Sequence, residues 1–120
     1  MKVLVVDDSK AIFMMVSQML EEAEHKAVWA EDGRRAFECI AEHGDIDLIL
    51  LDWNMPNMNG PEFLKKNMED GIFKNPIIMM TTENKPDYIK RALELGAVEY
   101  IMKPFTSDIL FNKMELVLDA

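Results

Sequence analysis

The order of hydrophobic and polar positions along the chain predicts strands and helices in strict alternation. Short apolar runs predict five strands, at Lys2–Val6, Lys26–Ala30, Asp47–Leu51, Pro76–Met80 and Val98–Met102. A segment with helical spacing follows each strand, the first with Ser9 as its N-cap and the others at Arg34–Glu42, Pro61–Met68, Asp87–Leu95 and Thr106–Leu118. The apolar residues of the first helix form one stripe, made of Ile12, Met15, Val16, Met19, Leu20 and Ala23.

A chain that alternates strand and helix from end to end predicts a parallel sheet covered by helices on both faces. Strands buried on both faces must be apolar throughout, as the first, third and fourth predicted strands are. In the second helix we expect Ala36, Phe37, Ile40 and Ala41 to face the sheet. The chain shows no linker, repeat or low-complexity segment, so residues 1–120 are predicted to form a single α/β domain.

Charge and cysteine content narrow the classes of partner. The 22 acidic and 13 basic residues give a formal net charge of −9, which argues against nucleic acid or membrane binding through a basic surface. Cys39 is the single cysteine, so we expect no disulfide within the chain and no cysteine-based metal site. No apolar run approaches the ~18 residues of a membrane span. The first strand follows Met1 directly, so we expect a cytoplasmic protein without a signal peptide.

Polar side chains stand at the carboxyl ends of four predicted strands. They are Asp7 and Asp8 after the first strand, Asp52 after the third, Thr81 and Thr82 after the fourth, and Lys103 after the fifth. Open α/β sheets bind ligands beyond these ends, so the side chains are expected on one rim. Strand ends are often polar because they meet solvent. Two carboxylates about 4 Å apart, however, repel each other by roughly 4 kcal/mol at an effective dielectric constant of about 20. A hard cation such as Mg²⁺ would relieve that repulsion.

Four motifs carry a family resemblance that covers essentially the whole chain. They are VVDD at Val5–Asp8, LLDWNMPNMNG at Leu50–Gly60, IIMMTT at Ile77–Thr82 and YIMKPF at Tyr100–Phe105. Together they resemble the receiver domain of bacterial two-component response regulators, and most closely the stand-alone chemotaxis regulators of the CheY type. The resemblance implies a flavodoxin-like, doubly wound sheet of five parallel strands in the order 2-1-3-4-5, with five helices.

The resemblance also implies a phosphorylation-activated switch that is not an enzyme, although it takes part in its own phosphorylation and dephosphorylation. Asp52 matches the carboxylate that accepts a phosphoryl group from a phosphohistidine. Asp8, Asp52 and the backbone carbonyl of Asn54 match the Mg²⁺ ligands, and Asp7 matches an acidic residue that helps to hold the ion through water.

Three further residues match the parts of the switch that respond to phosphorylation. Lys103 would pair with Asp52 at rest and with a phosphoryl oxygen afterwards. Thr81 would move to bind another phosphoryl oxygen, and Tyr100 would change rotamer and alter the face of the fourth helix, fifth strand and fifth helix. The bond between Lys103 and Pro104 is expected to be cis by the same resemblance.

Positions that tune the lifetime of the phosphorylated state match the chemotaxis type, with one departure. Asn54 and Glu83 are residues of the kind found there, which implies loss of phosphate in seconds to minutes. The position after the switch threonine is commonly small in the family, whereas here it is Thr82, which could restrict access to the phosphoryl group.

The implied partners are a sensor histidine kinase or histidine phosphotransfer protein and a downstream protein such as a flagellar motor switch. Met14 projects away from the apolar stripe of the first helix and Phe13 lies at its edge. We therefore predict that both help to dock the phosphodonor. Phe111 lies at the margin of the apolar stripe of the last helix, and we predict that it belongs to an output or dimer surface. Single exposed apolar residues are also common without a function.

Other functions remain open from the sequence alone. The chain could be a receiver domain that belongs to a longer transcription factor or enzyme. A phosphatase of the haloacid dehalogenase class also uses an aspartyl nucleophile and Mg²⁺, but it requires a D-x-D pattern after the first strand, where this chain has Asp7 followed directly by Asp8. A flavodoxin would require a loop rich in hydroxyl groups and glycine at the same place.

Overall fold

The computed structural model describes residues 1–118, which form one five-stranded parallel sheet with the order β2-β1-β3-β4-β5. The strands are β1 (Lys2–Val6), β2 (Lys26–Ala30), β3 (Leu48–Asp52), β4 (Ile77–Thr81) and β5 (Glu99–Met102). The helices are α1 (Lys10–Glu22), α2 (Gly33–Glu42), α3 (Gly60–Asp70), α4 (Pro86–Glu94) and α5 (Ser107–Leu118). The predicted α/β fold and strand order are confirmed.

The sheet separates two apolar cores because successive side chains of a strand point to opposite faces. On one face, Leu4, Ile49 and Met79 of the central strands pack with Phe63 and Leu64 of α3. On the other face, Val5, Leu50 and Met80 pack with residues of α1 and α5 that include Val16, Leu20, Leu110 and Met114. Strands β3 and β4 are buried along their whole length, which explains why their sequence does not alternate with polar residues.

Two strands extend one residue further than the sequence pattern indicated. Asp52 and Thr81 are the last residues of β3 and β4, where Asp52 pairs with Met80 and Thr81 pairs with Met102. A polar side chain marks the rim of the sheet in the pattern, but the backbone ladder continues through that residue. Both side chains are therefore fixed by a strand and do not lie in a mobile loop.

Two alanines predicted to face the sheet are exposed instead, and the prediction was wrong for both. Ala23 follows the end of α1, so the helical period no longer sets its direction. Ala41 is five residues from the buried Ala36, or about 140° around the helix, and therefore faces solvent. Cys39 is buried on the inner face of α2.

Local signals position the segments that lead to the rim. The Ser9 hydroxyl accepts a hydrogen bond from the Ile12 amide and caps α1, as predicted. Asn59 and Glu62 form a reciprocal capping box at the start of α3. A Cβ atom on Gly60 would lie 2.6 Å from the Asp52 carbonyl oxygen, so only glycine allows the chain to return this close to β3. Within residues 1–118, no helix is long and apolar enough to cross a membrane.

Candidate functional site

Asp7 is held at the end of β1 by bonds to both its backbone and its side chain. Its amide donates to the Ala30 carbonyl at 3.0 Å, and the Trp29 indole Nε1 donates to the Asp7 carbonyl at 2.8 Å. Its carboxylate accepts from the Ser9 amide at 2.9 Å and from Lys103 Nζ at 2.7 Å. The carboxylate is therefore fixed in direction, with only 1% of the residue exposed.

Asp52 and Lys103 meet across the rim, from the ends of β3 and β5. Lys103 Nζ lies 2.8 Å from Asp52 Oδ1, so one ammonium group bonds to Asp7 and Asp52 at once. Asp8 is exposed beside them. One carboxylate oxygen of each of the three aspartates lies within 4.8 Å of the others. Four of the six side chains that the sequence placed on one rim therefore lie together.

Burial and neighbouring charges shift the pKa values of Asp52 and Lys103. Burial raises the pKa of the Asp52 carboxyl, and the charges of Asp7 and Asp8 add to that effect, against the opposing bond from Lys103. Burial works to lower the pKa of the Lys103 ammonium, but its bonds to Asp52 and Asp7 raise it above the ordinary value. Lys103 is therefore protonated at neutral pH, and the ionised Asp52 is costly to keep buried.

Thr81 and Tyr100 lie next to each other behind the rim. The Thr81 hydroxyl accepts a hydrogen bond from the Glu83 amide at 2.9 Å, and the Thr81 carbonyl accepts from the Lys103 amide at 2.9 Å. Tyr100 and Thr81 surround one packing gap, too small for a water molecule, together with Trp53 and other side chains of β4 and α4. The Tyr100 ring is half-buried, and Lys113 Nζ lies 4.9 Å from its centre.

The other residues that the sequence assigned to the site lie in loops beside the aspartates and Lys103. Asn54 and Thr82 are exposed and Glu83 is half-buried, in the loops that follow β3 and β4. The peptide bond between Lys103 and Pro104 is cis, as expected.

The three apolar residues proposed as partner contacts differ in exposure. Met14 is 60% exposed on α1. Phe13 is half-buried, and its ring stacks on Trp29 with 5.5 Å between ring centres. Phe111 is also half-buried and packs against the core beneath α5, with its ring centre 6.4 Å from that of His25. Only Met14 is a free surface side chain in this set.

Sequence reasoning missed several residues around the site. Trp29 bonds to the Asp7 backbone, and the Tyr88 ring meets the Trp53 ring edge-on at 5.3 Å. The Asn57 side chain in the loop after β3 donates to the buried Asp32 carboxylate at 2.8 Å. Asp32 directly precedes Gly33, an N-cap signal that could have been noticed, but nothing local pointed to its second partner 25 residues away.

The donor set fits Mg²⁺ chemically. Three carboxylates reach a common region, and two of them are buried while Asp8 opens to solvent. Carboxylate oxygens with access to water are what Mg²⁺ accepts, because it keeps several water ligands. The cluster could therefore hold such an ion.

Residues 3–115 match the family model of the response regulator receiver domain. The chain therefore belongs to the family of response regulator receiver domains, whose members act in two-component phosphorelay signalling.

The relatives point to one type within this family. The chain is 42% identical over 120 residues to chemotaxis protein CheY1 of Helicobacter pylori, which covers 98% of this chain and 97% of the relative. It is 40% identical to a CheY homolog of Campylobacter jejuni, covering 98% of this chain and 92% of that protein. The structure of Vibrio cholerae CheY4 superposes with a TM-score of 0.88 at 38% identity, over 98% of each chain. The resemblance to CheY-type chemotaxis regulators is confirmed.

Proposed function

We propose that the protein is a chemotaxis signalling switch that accepts a phosphoryl group on Asp52. The observation that carries this proposal is the meeting of Asp7, Asp8, Asp52 and Lys103 at the carboxyl edge of the sheet of a receiver domain. On this proposal the chain is one receiver domain. It acts by a change of affinity for other proteins and catalyses no reaction on a separate substrate.

The transfer would begin with attack by an Asp52 carboxylate oxygen on the phosphorus of a phosphohistidine. A phosphorus–oxygen bond forms to Asp52 and the phosphorus–nitrogen bond breaks, with its electron pair passing to the imidazole of the partner. Hydrolysis of the acyl phosphate later returns the free carboxylate and releases inorganic phosphate. The chain's own contribution is to hold Asp52 at the end of a buried strand, where its direction is fixed.

Asp8, Asp52 and the Asn54 carbonyl would hold Mg²⁺, with Asp7 acting through water. When bound, this ion supplies positive charge that offsets the negative charge of carboxylates and phosphoryl oxygens brought close together. Lys103 already has an ammonium group within bonding distance of Asp52, so it can transfer a hydrogen bond to a phosphoryl oxygen.

The signal would leave the site through Thr81 and Tyr100. The Thr81 hydroxyl would turn towards a phosphoryl oxygen, and the Tyr100 ring, which packs close to Thr81, would follow. That movement changes the face formed by α4, β5 and α5, where a downstream target would bind. A sensor histidine kinase or histidine phosphotransfer protein would act as the donor, and a flagellar motor switch is the kind of target that the chemotaxis relatives favour.

A small-molecule phosphodonor tests this function without a partner protein. We expect the wild type to gain the mass of one phosphoryl group in the presence of Mg²⁺ and to lose it again on standing. Asp52→Asn should gain none, because its amide is not a nucleophile. Asp70→Asn makes the same chemical change at the exposed end of α3 and should behave like the wild type. An equal mass gain in Asp52→Asn would exclude Asp52 as the acceptor.

A further inference from the structure

A buried carboxylate outside the acidic cluster joins α2 to the loop between β3 and α3. Asp32 is only 6% exposed. Its Oδ1 accepts from the Arg35 amide at 2.8 Å and caps α2, while its Oδ2 accepts from the Asn57 side chain at 2.8 Å. A helix cap uses one oxygen, so the second oxygen serves another purpose.

The backbone reinforces this connection. The Gly33 amide donates to the Met58 carbonyl at 3.0 Å. A Cβ atom on Gly33 would lie 2.7 Å from Met58 Cγ, so the Met58 side chain packs directly against the glycine at the start of α2. Asn57 itself has a φ of 63°, a left-handed conformation that asparagine tolerates better than most residues.

The same loop is tied to the sheet at its start, and its end is tied to its start. The Trp53 amide donates to the Met80 carbonyl at 3.2 Å, and the Gly60 amide donates to the Trp53 carbonyl at 3.0 Å. Between these ends lies the segment 54–58, which includes Asn54. The bonds from Asn57 to Asp32 and from Gly33 to Met58 tie this segment to another element of the fold.

We propose that Asp32 and Asn57 are positioning residues that hold the loop after β3 so that the Asn54 carbonyl is preset as a ligand for the magnesium ion. This inference rests on the proposed function. Neither side chain touches the ion or the phosphoryl group. Groups that orient metal ligands from outside typically affect metal affinity strongly even though they make no bond to the metal.

Three variants separate this positioning from helix capping and from charge. Asn57→Gly removes the amide and keeps the left-handed conformation accessible. Asp32→Ser keeps a good N-cap, but its shorter side chain cannot reach Asn57. Asp32→Asn keeps both bonds if the Asn57 amide turns so that its oxygen accepts. The last two variants lose the same negative charge, so any difference between them does not come from charge.

Calorimetric titration with MgCl₂ gives the dissociation constant of each folded variant, and urea unfolding gives its stability. We expect Asn57→Gly and Asp32→Ser to weaken Mg²⁺ binding about tenfold, and Asp32→Asn to bind like the wild type. In the metal-free protein, amide hydrogen exchange at Gly33 should be faster in the first two variants and unchanged in the third.

Equal Mg²⁺ affinities of Asp32→Ser and Asp32→Asn would overturn the inference, even if the serine variant is less stable. The inference would also be overturned if Asn57→Gly were less stable than the wild type but bound Mg²⁺ with the same affinity. The proposed function fails in a different way, through a wild type that binds no Mg²⁺ at all, and that result would remove the inference as well.

Discussion

Lys103 bonds to two buried carboxylates, and this sharing changes what a substitution at Asp52 should do. Its ammonium lies 2.7 Å from Asp7 and 2.8 Å from Asp52. Removing one partner of an isolated buried ion pair typically costs about 3–5 kcal/mol, because the other charge is left alone. Here the lysine would keep Asp7. Asp52 can therefore be neutralised without leaving a buried charge unpaired.

We expect Asp52→Asn to be more stable than the wild type at neutral pH without Mg²⁺. The pKa of Asp52 is raised in the folded state, so its ionised form destabilises the fold. This loss of stability begins as the pH rises through 3.8, the ordinary pKa of aspartate. It is complete once the pH is above the pKa of Asp52 in the folded protein. It amounts to about 1.4 kcal/mol for each unit of pKa change.

Urea unfolding of both proteins, at neutral pH and at a pH near the ordinary pKa of aspartate, measures this difference in the free energy of unfolding. The advantage of the variant should be present at neutral pH and should shrink in acid. A variant less stable than the wild type at neutral pH would show that the bond to Lys103 outweighs burial.

Asn54 and Glu83 lead to a prediction about timing. We expect the phosphorylated protein, separated from its donor, to lose phosphate within seconds to minutes, because both residues are of the chemotaxis type and stand at the edge of the site. Mass spectrometry of samples quenched over time measures this directly. A lifetime of hours would contradict the assignment of these positions.

The residues of the rim could be predicted and their cross-connections could not. Asp7, Asp8, Asp52, Thr81 and Lys103 all stand at strand ends, and parallel strands bring those ends together whatever the loops do. The bond from Trp29 to Asp7 and the bond from Asn57 to Asp32 join segments 22 and 25 residues apart. They depend on how loops fold back, which no local pattern encodes.

At the scale of elements, α1 carries two neighbouring apolar residues with different roles. Phe13 stacks on Trp29 of β2, so its loss would disturb packing beside Asp7. Met14 is 60% exposed, so its loss changes only the surface. Met14 is therefore the better test of a docking surface for the phosphodonor.

We expect Met14→Ala to slow phosphotransfer from a phosphorylated histidine kinase by about fivefold, equivalent to about 1 kcal/mol for a contact residue. Its rate with a small-molecule donor should not change, because the chemistry at Asp52 is intact. Met68→Ala, at a similarly exposed methionine on α3, is the matched control and should transfer normally. If the two variants behave alike with the kinase, Met14 is not a contact.

The bounds of the elements show where the pattern of apolar and polar residues stops being informative. The central strands were predicted well because both faces are buried and the apolar run is continuous. Asp52 and Thr81 were placed one residue outside their strands, since a polar side chain indicates solvent while the backbone pairing continues. The prediction was wrong for Ala23 because this residue follows the end of α1. It was wrong for Ala41 because this residue stands about 140° around α2 from the buried Ala36.

At the scale of the whole molecule, the acidic rim links metal binding to stability. We expect Mg²⁺ at a hundred times its dissociation constant to stabilise the fold by about 2.7 kcal/mol and to raise the melting temperature by about 10 °C. Asp8→Ala should lose most of this rise, because it removes the carboxylate that opens to solvent. Without Mg²⁺ it should melt no lower than the wild type, because it relieves repulsion.

Thermal melts with and without MgCl₂ measure both effects. Asp70→Ala removes an equally charged residue at the far end of α3 and should keep the full rise. Equal responses of Asp8→Ala and Asp70→Ala would mean that the ion acts on the general surface charge and not on the rim.

The charge of Lys103 at the rim would also favour one valence of cation in the proposed metal site. With Asp7, Asp8 and Asp52 ionised, Lys103 compensates one of three negative charges and leaves two. A monovalent cation such as Na⁺ would leave the rim anionic, and a trivalent one would make it cationic. A divalent ion would bring it to neutrality, so on the proposed metal binding we expect selectivity against the abundant monovalent cations of the cell to follow from one ammonium group among three carboxylates.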